Sequence, residues 1–149
     1  KKNYEFFGME KRNEKGALLE SFTIGSFEMT GGEDEGLSDR YLSLLEMMKD
    51  NFTYGYQLEN IESGIKQVNG EDYHIYDAVG IKKSDDEDAT STQQPEKHLL
   101  RMAIIPSQLN PREGLTVIMT ATEDSRIKTQ ADFEQNGCMS LSFNSLRLK

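Results

Sequence analysis

A chain of 149 residues, 36% hydrophobic and 29% charged, is long enough for one domain whose core buries roughly 70% of the surface its unfolded form exposes. Its formal net charge of −9 repels phosphate backbones and anionic bilayers, which disfavours nucleic acid and membrane surfaces as partners. The lone cysteine, Cys138, has no intrachain partner for a disulfide, and no apolar run reaches the roughly 18 residues of a membrane span.

The opening segment around Tyr4, Phe6 and Phe7 reads as a first strand, and Glu10 to Gly16 as a turn. From Leu19 to Met29 the chain is extended, with Phe22 and Ile24 on one face by period two and Phe27 and Met29 sharing a face after Gly25-Ser26. The half-step between the two pairs predicts a bulge at Gly25. The glycine-rich, acidic stretch from Thr30 to Gly36 is a loop. Next comes the clearest helix: Leu37, Tyr41, Leu44, Leu45 and Met48 form one apolar stripe that needs the sheet to cover it. Ser38 is the expected N-cap, Asp39 suits the positive end of the helix, and Asp50-Asn51 closes it.

Residues from Tyr54 to Gln67 and from Glu71 to Lys83 read as a hairpin. A two-residue Asn69-Gly70 turn sets Lys66 opposite Tyr73 and Gly64 opposite Ile75. A three-residue loop from Val68 to Gly70 sets Ile65 opposite Tyr73 and gathers Ile61 with Ile75 and Val79. The second register collects apolar residues on one face, so it is the expected one, with Gly70 in the left-handed conformation. Ser84 to Gln94 is a polar loop. Leu99 to Ile105 is apolar on both faces apart from Arg101, which marks a central strand covered on both sides. Leu115, Val117, Met119 and Ala121 then alternate with a threonine-rich face. With the hairpin, these strands read as an antiparallel meander. In the tail, Thr129 to Gln135 reads as helical with Thr129 as its cap. The segment from Cys138 to Phe143 fits helix or strand. We expect the helix to pass Gly137 and run to near Ser142, followed by a short last strand through Leu146 and Leu148.

This order of elements resembles the PsbP-like fold family of PsbP and DcrB-type proteins. The likeness is carried mainly by the strand Thr116-Val117-Ile118-Met119-Thr120-Ala121-Thr122, by Phe133, and by the closing Asn144-Ser145-Leu146-Arg147-Leu148-Lys149. The resemblance implies a non-enzymatic role in protein binding or assembly, often in exported bacterial members, and it transfers no individual residue's role.

The residues themselves build no reactive constellation. His74, His98 and Cys138 lack the spacing of a zinc site, so no metal or other cofactor is expected. Cys138, beside Met139, reads as a small buried hydrophobe. Glu123 and Asp124 read as turn chemistry, since no second carboxylate is placed across a cleft for acid–base work. The run Asp85-Asp86-Glu87-Asp88 lacks the glycine of a calcium-binding loop, and contiguous like charges stay hydrated; its functional reading is an electrostatic docking surface for a basic partner. Tyr54, Tyr56, Tyr73 and Tyr76 cluster on the hairpin. They read as core or rim packing or, for Tyr54, Tyr56 and Tyr76, as a protein-binding surface. The sequence therefore predicts one α+β domain over residues 1–149, a twisted antiparallel sheet of five to seven strands packed with helices. Its expected role is a non-catalytic module that binds a protein, with no catalytic residues. The alternative is a small-ligand binder or hydrolase with a pocket between helix and sheet. A complete chain would be cytoplasmic, and one that had lost a leader would be exported or lipid-anchored.

Overall fold

The computed structural model describes residues 6–29, 36–68, 71–82 and 96–135. Within them are six strands, β1 (Phe6–Arg12), β2 (Leu18–Glu28), β3 (Tyr56–Val68), β4 (Glu71–Lys82), β5 (Lys97–Pro106) and β6 (Glu113–Thr122). The helix α1 (Leu37–Phe52) follows β2, and a single turn, α2 (Asp132–Gln135), follows β6. All strands join one antiparallel sheet in the order β1-β2-β6-β5-β4-β3. The architecture is α+β with a small helical share. The expected meander is β3 to β6, and β2 attaches the first hairpin to its last strand. Because β2 lies near one edge and β3 forms the other, α1 carries the chain across one face of the sheet.

Crossing that face buries the apolar stripe. Tyr41 and Leu45 are buried, with Leu37, Leu44, Met48 and Phe52 at their margins, against Phe27, Tyr76, Ala78, Met102 and Ile104. Full burial of one such side chain contributes about 1.5–3 kcal/mol. The Phe27 and Tyr41 rings meet edge to face at 6.1 Å, and the Tyr41 hydroxyl donates to the Pro111 carbonyl. The opposite face holds a second core of Phe22, Tyr73, Ile75, Ala103, Ile105, Val117 and Met119, covered by Ile127 and Phe133 from the segment after β6. Strand β5 is central and buried on both faces, as its composition requires.

Several local expectations are corrected. No bulge occurs at Gly25: β2 pairs with β6 without interruption from Glu20 to Glu28. Phe22 and Phe27 point to opposite faces because each face has its own core to fill. The irregularity of the first hairpin sits instead between Lys11 and Arg12, and β1 runs on to Arg12. The turn begins at Asn13, whose Oδ1 accepts the amides of Lys15 and Ala17. The N-cap of α1 is Gly36, at φ 82°, and no side-chain cap bond is made. Glycine reaches that left-handed entry without a Cβ clash, which places the N-cap two residues before Ser38. The helix also runs past Asp50-Asn51 to Phe52, where the apolar margin continues, and Thr53 closes it by bonding the Lys49 carbonyl. Thr129 does not cap α2, which starts at Asp132; the Asp132 carboxylate accepts the amides of Lys128 and Thr129. The expected continuation to Ser142 and the last strand lie outside the described residues, as do Cys138 and the polar loop after β4.

The hairpin register is the instructive correction. Val68 pairs with Glu71, Lys66 with Tyr73 and Gly64 with Ile75, so two residues rather than three separate the strands. Nearer the base, however, Glu59 pairs with Val79 and Gln57 with Ile81, the register that the three-residue loop demands. The two halves are reconciled by a bulge between Glu59 and Glu62, where Asn60 takes φ 51°. Apolar matching governs the base, where Tyr56 and Leu58 have a core to meet. It loses force at the tip, where the residues from Asn60 to Gln67 are exposed, and the two-residue separation wins there.

Candidate functional site

Of the residues expected to bind, Tyr54, Tyr56 and Tyr76 do not share one surface. Tyr54 follows α1 and is 91% exposed, whereas Tyr76 is 5% exposed and packs beneath α1. Tyr56 is half-buried, with its hydroxyl 2.7 Å from His98 Nδ1 and the two rings tilted at 5.4 Å. Its ring lies over Gly80, where a Cβ would stand 2.7 Å from Tyr56 Cδ1. Tyr73 belongs to the core of the other face. Burial pushes the hydroxyls of Tyr56, Tyr76 and Tyr41 above the usual tyrosine range. Asp85, Asp86, Glu87 and Asp88 lie outside the described residues.

The two histidines stand at opposite ends of the sheet. His98 pairs with Gly80, six residues along β4 from His74, which separates them by about 20 Å. His98 Nε2 lies 3.1 Å from Glu96 Oε1, at ion-pair distance but off the axis of a hydrogen bond. The His74 ring meets the Tyr41 ring at 4.7 Å, tilted by 47°. Burial lowers its pKa from the ordinary histidine value, and nearby Asp72 opposes the shift. Among the described residues, no group of three or more histidines, cysteines or carboxylates is placed to hold a metal. Glu123 ties two strand ends together: its Oε1 accepts the Lys97 amide and its carbonyl accepts the Lys128 ammonium. The Ser125 amide donates to the Thr122 carbonyl, which is the turn geometry expected at that corner.

The pair that sequence reading missed is Arg101–Asp77. Arg101 is fully buried, and it donates from Nε to Asp77 Oδ1 at 2.7 Å and from Nη2 to Oδ2 at 2.9 Å. Its guanidinium also lies 5.7 Å from the centre of the Phe133 ring. The signal was present: one acid interrupts apolar β4 and one base interrupts apolar β5, and a central strand does not hide a lone charge. Reading it required the β4–β5 register, which sets the two directly opposite. With both ends satisfied by a two-bond fork, the pair serves packing rather than chemistry.

Among the described residues, three open clefts flank the cores. One, about 550 Å³, runs between α1 and β2 and is walled by Phe27, Met29, Leu44, Met47 and Met48, with Arg40 at its rim. A second, about 530 Å³, is bordered by Tyr41, His74, Asp72 and Pro111. The third, about 330 Å³, lies at the sheet end between Glu59, Lys97, Glu123 and Lys128. The first exists because α1 rests chiefly on β4 and β5, so that beyond the Phe27–Tyr41 contact its flank overhangs β2. Methionines suit such a wall, since their unbranched, polarizable side chains repack around different shapes. No helix among the described residues is long and apolar enough to cross a membrane. No protein-family model matches the chain, and no curated protein sequence matches it either.

Proposed function

We propose that this protein is a non-catalytic binding module that engages another protein through the cleft between α1 and β2. The observation that carries the reading is the wall itself: an open, largely apolar groove with three methionines and half-exposed Met47 on its lip. Adaptable methionine surfaces favour apolar anchor side chains of a partner, and Arg40 at the rim supplies a charged border. The PsbP-like resemblance points the same way, and we extend the proposal to that fold kind. Its support is the order of two strands, helix, hairpin, two further strands and helix. A photo-crosslinking residue placed at Met47, at the groove lip, tests the reading in cells of the source organism. The expected result is a discrete protein adduct that disappears with Met48→Glu inside the groove. Crosslinking to small molecules alone overturns it.

A second reading rests on size: about 550 Å³ falls within the range of small-molecule sites. An apolar metabolite copurifying in native mass spectrometry, and lost with Met48→Glu, would support that alternative. A hydrolase finds less support, because His74 and Glu123 border different clefts.

A further inference from the structure

We propose that β3 is a self-association edge, at which two copies pair their Ile61–Ile65 segments antiparallel about a two-fold axis at Ser63. Strand β3 ends the sheet order, so its outer side meets no strand among the described residues. It is also the longest strand, at 13 residues, whereas exposed edges are normally kept short or interrupted. The bulge at Asn60 interrupts only its first half; from Glu62 onward the pairing with β4 is regular. From Asn60 to Gln67 β3 is exposed on both faces, yet it carries Ile61, at the end of the bulge, at 53% and Ile65 at 59% exposure. Ile65 lies on the face that α1 covers elsewhere, since it pairs with His74 and Ser63 pairs with Tyr76, and strand alternation puts Ile61 on the same face as Ser63.

The segment is self-complementary. An axis at Ser63 sets Ile61 of one copy against Ile65 of the other, twice, and sets each Glu62 against a Gly64. Cross-strand apolar pairs of this kind are the stabilising unit of a sheet, and no like charges oppose. Moving the axis to Glu62 sets two glutamates against each other. Moving it to Gly64 sets Glu62 against Lys66 but places Ile61 against Gln67 and Ile65 against Ser63. An axis at Ile61 or at Ile65 sets one isoleucine against its own copy, whereas the Ser63 axis makes two isoleucine pairs. The edge lies across the sheet from the groove between α1 and β2, so this proposal stands independently of the functional reading above.

Sedimentation equilibrium of the full chain, from micromolar to submillimolar concentration, tests it. The wild-type mass should rise from one copy towards two. Ile65→Lys and Ile61→Glu, each alone, should weaken the dimer by about tenfold or more, because each homodimer loses both isoleucine pairs. An equimolar mixture of the two variants should recover association, since the Ser63 axis then matches Lys against Glu at one end and keeps an isoleucine pair at the other. Ile65→Thr, which retains a β-branched side chain, should weaken the dimer in the same direction. A wild-type chain that stays monomeric, variants that dimerise as well as wild type, or a mixture no tighter than its separate components would each overturn the proposal.

Discussion

Arg101 and Asp77 show how a single buried pair disciplines a core. Each charge has given up water, and the fork of two hydrogen bonds offsets that cost only while both are present. Asp77→Ala, which strands the guanidinium, is expected to destabilise the fold by about 3–5 kcal/mol. Replacing both together, Asp77→Leu with Arg101→Met, should recover most of the loss; denaturant titration of the two variants separates the outcomes. His74 acts in the opposite sense. Its neighbours are Asp72 on its own strand and the Tyr41 ring from α1, and burial favours the neutral imidazole. Because the folded pKa lies below the unfolded one, both states are neutral at high pH and the group contributes nothing there. As pH falls through about 6.5 the unfolded chain takes up the proton first, and stability is lost from that point down to the lowered folded pKa. His74→Gln should therefore flatten part of the stability loss as pH falls below about 6.5, visible as a smaller drop in melting temperature.

The β3–β4 hairpin is an element in which two local preferences conflict. Its base follows the register that gathers apolar residues, its tip follows the one with two residues between the strands, and Asn60 absorbs the extra residue at φ 51°. Asparagine tolerates that conformation, and a β-branched residue does not. Asn60→Val should cost about 1–2 kcal/mol, whereas Asn60→Gly should stay within about 0.5 kcal/mol of wild type, as read by thermal or urea unfolding. Had the bulge been merely tolerated slack, both substitutions would behave alike. The α1 boundary follows the same logic: backbone conformation at Gly36 fixed the start, and the side-chain preference of Ser38 did not.

For the molecule as a whole, part of the charge stands apart in sequence from the residues that build the cores. The apolar residues that build the two cores lie in the strands, α1 and the segment after β6, while four of the 26 acidic residues form the run from Asp85 to Asp88. Neutralising that run to asparagine and glutamine should move the melting temperature by no more than about 2 °C, the effect of surface changes remote from packing. A large loss would assign the run a structural or ion-binding role. Composition and periodicity by themselves determined the class of fold, the stripe that α1 buries and the central place of β5, because burying apolar surface is the dominant force and leaves its period in the chain. Only tertiary structure decided which residues share a site. The Arg101–Asp77 fork, the separation of the two histidines, the scattering of Tyr54, Tyr56 and Tyr76, and the cleft beside α1 all depend on strand order and register. Those come from long-range pairing, and a local pattern of residues does not encode which distant strand will lie alongside.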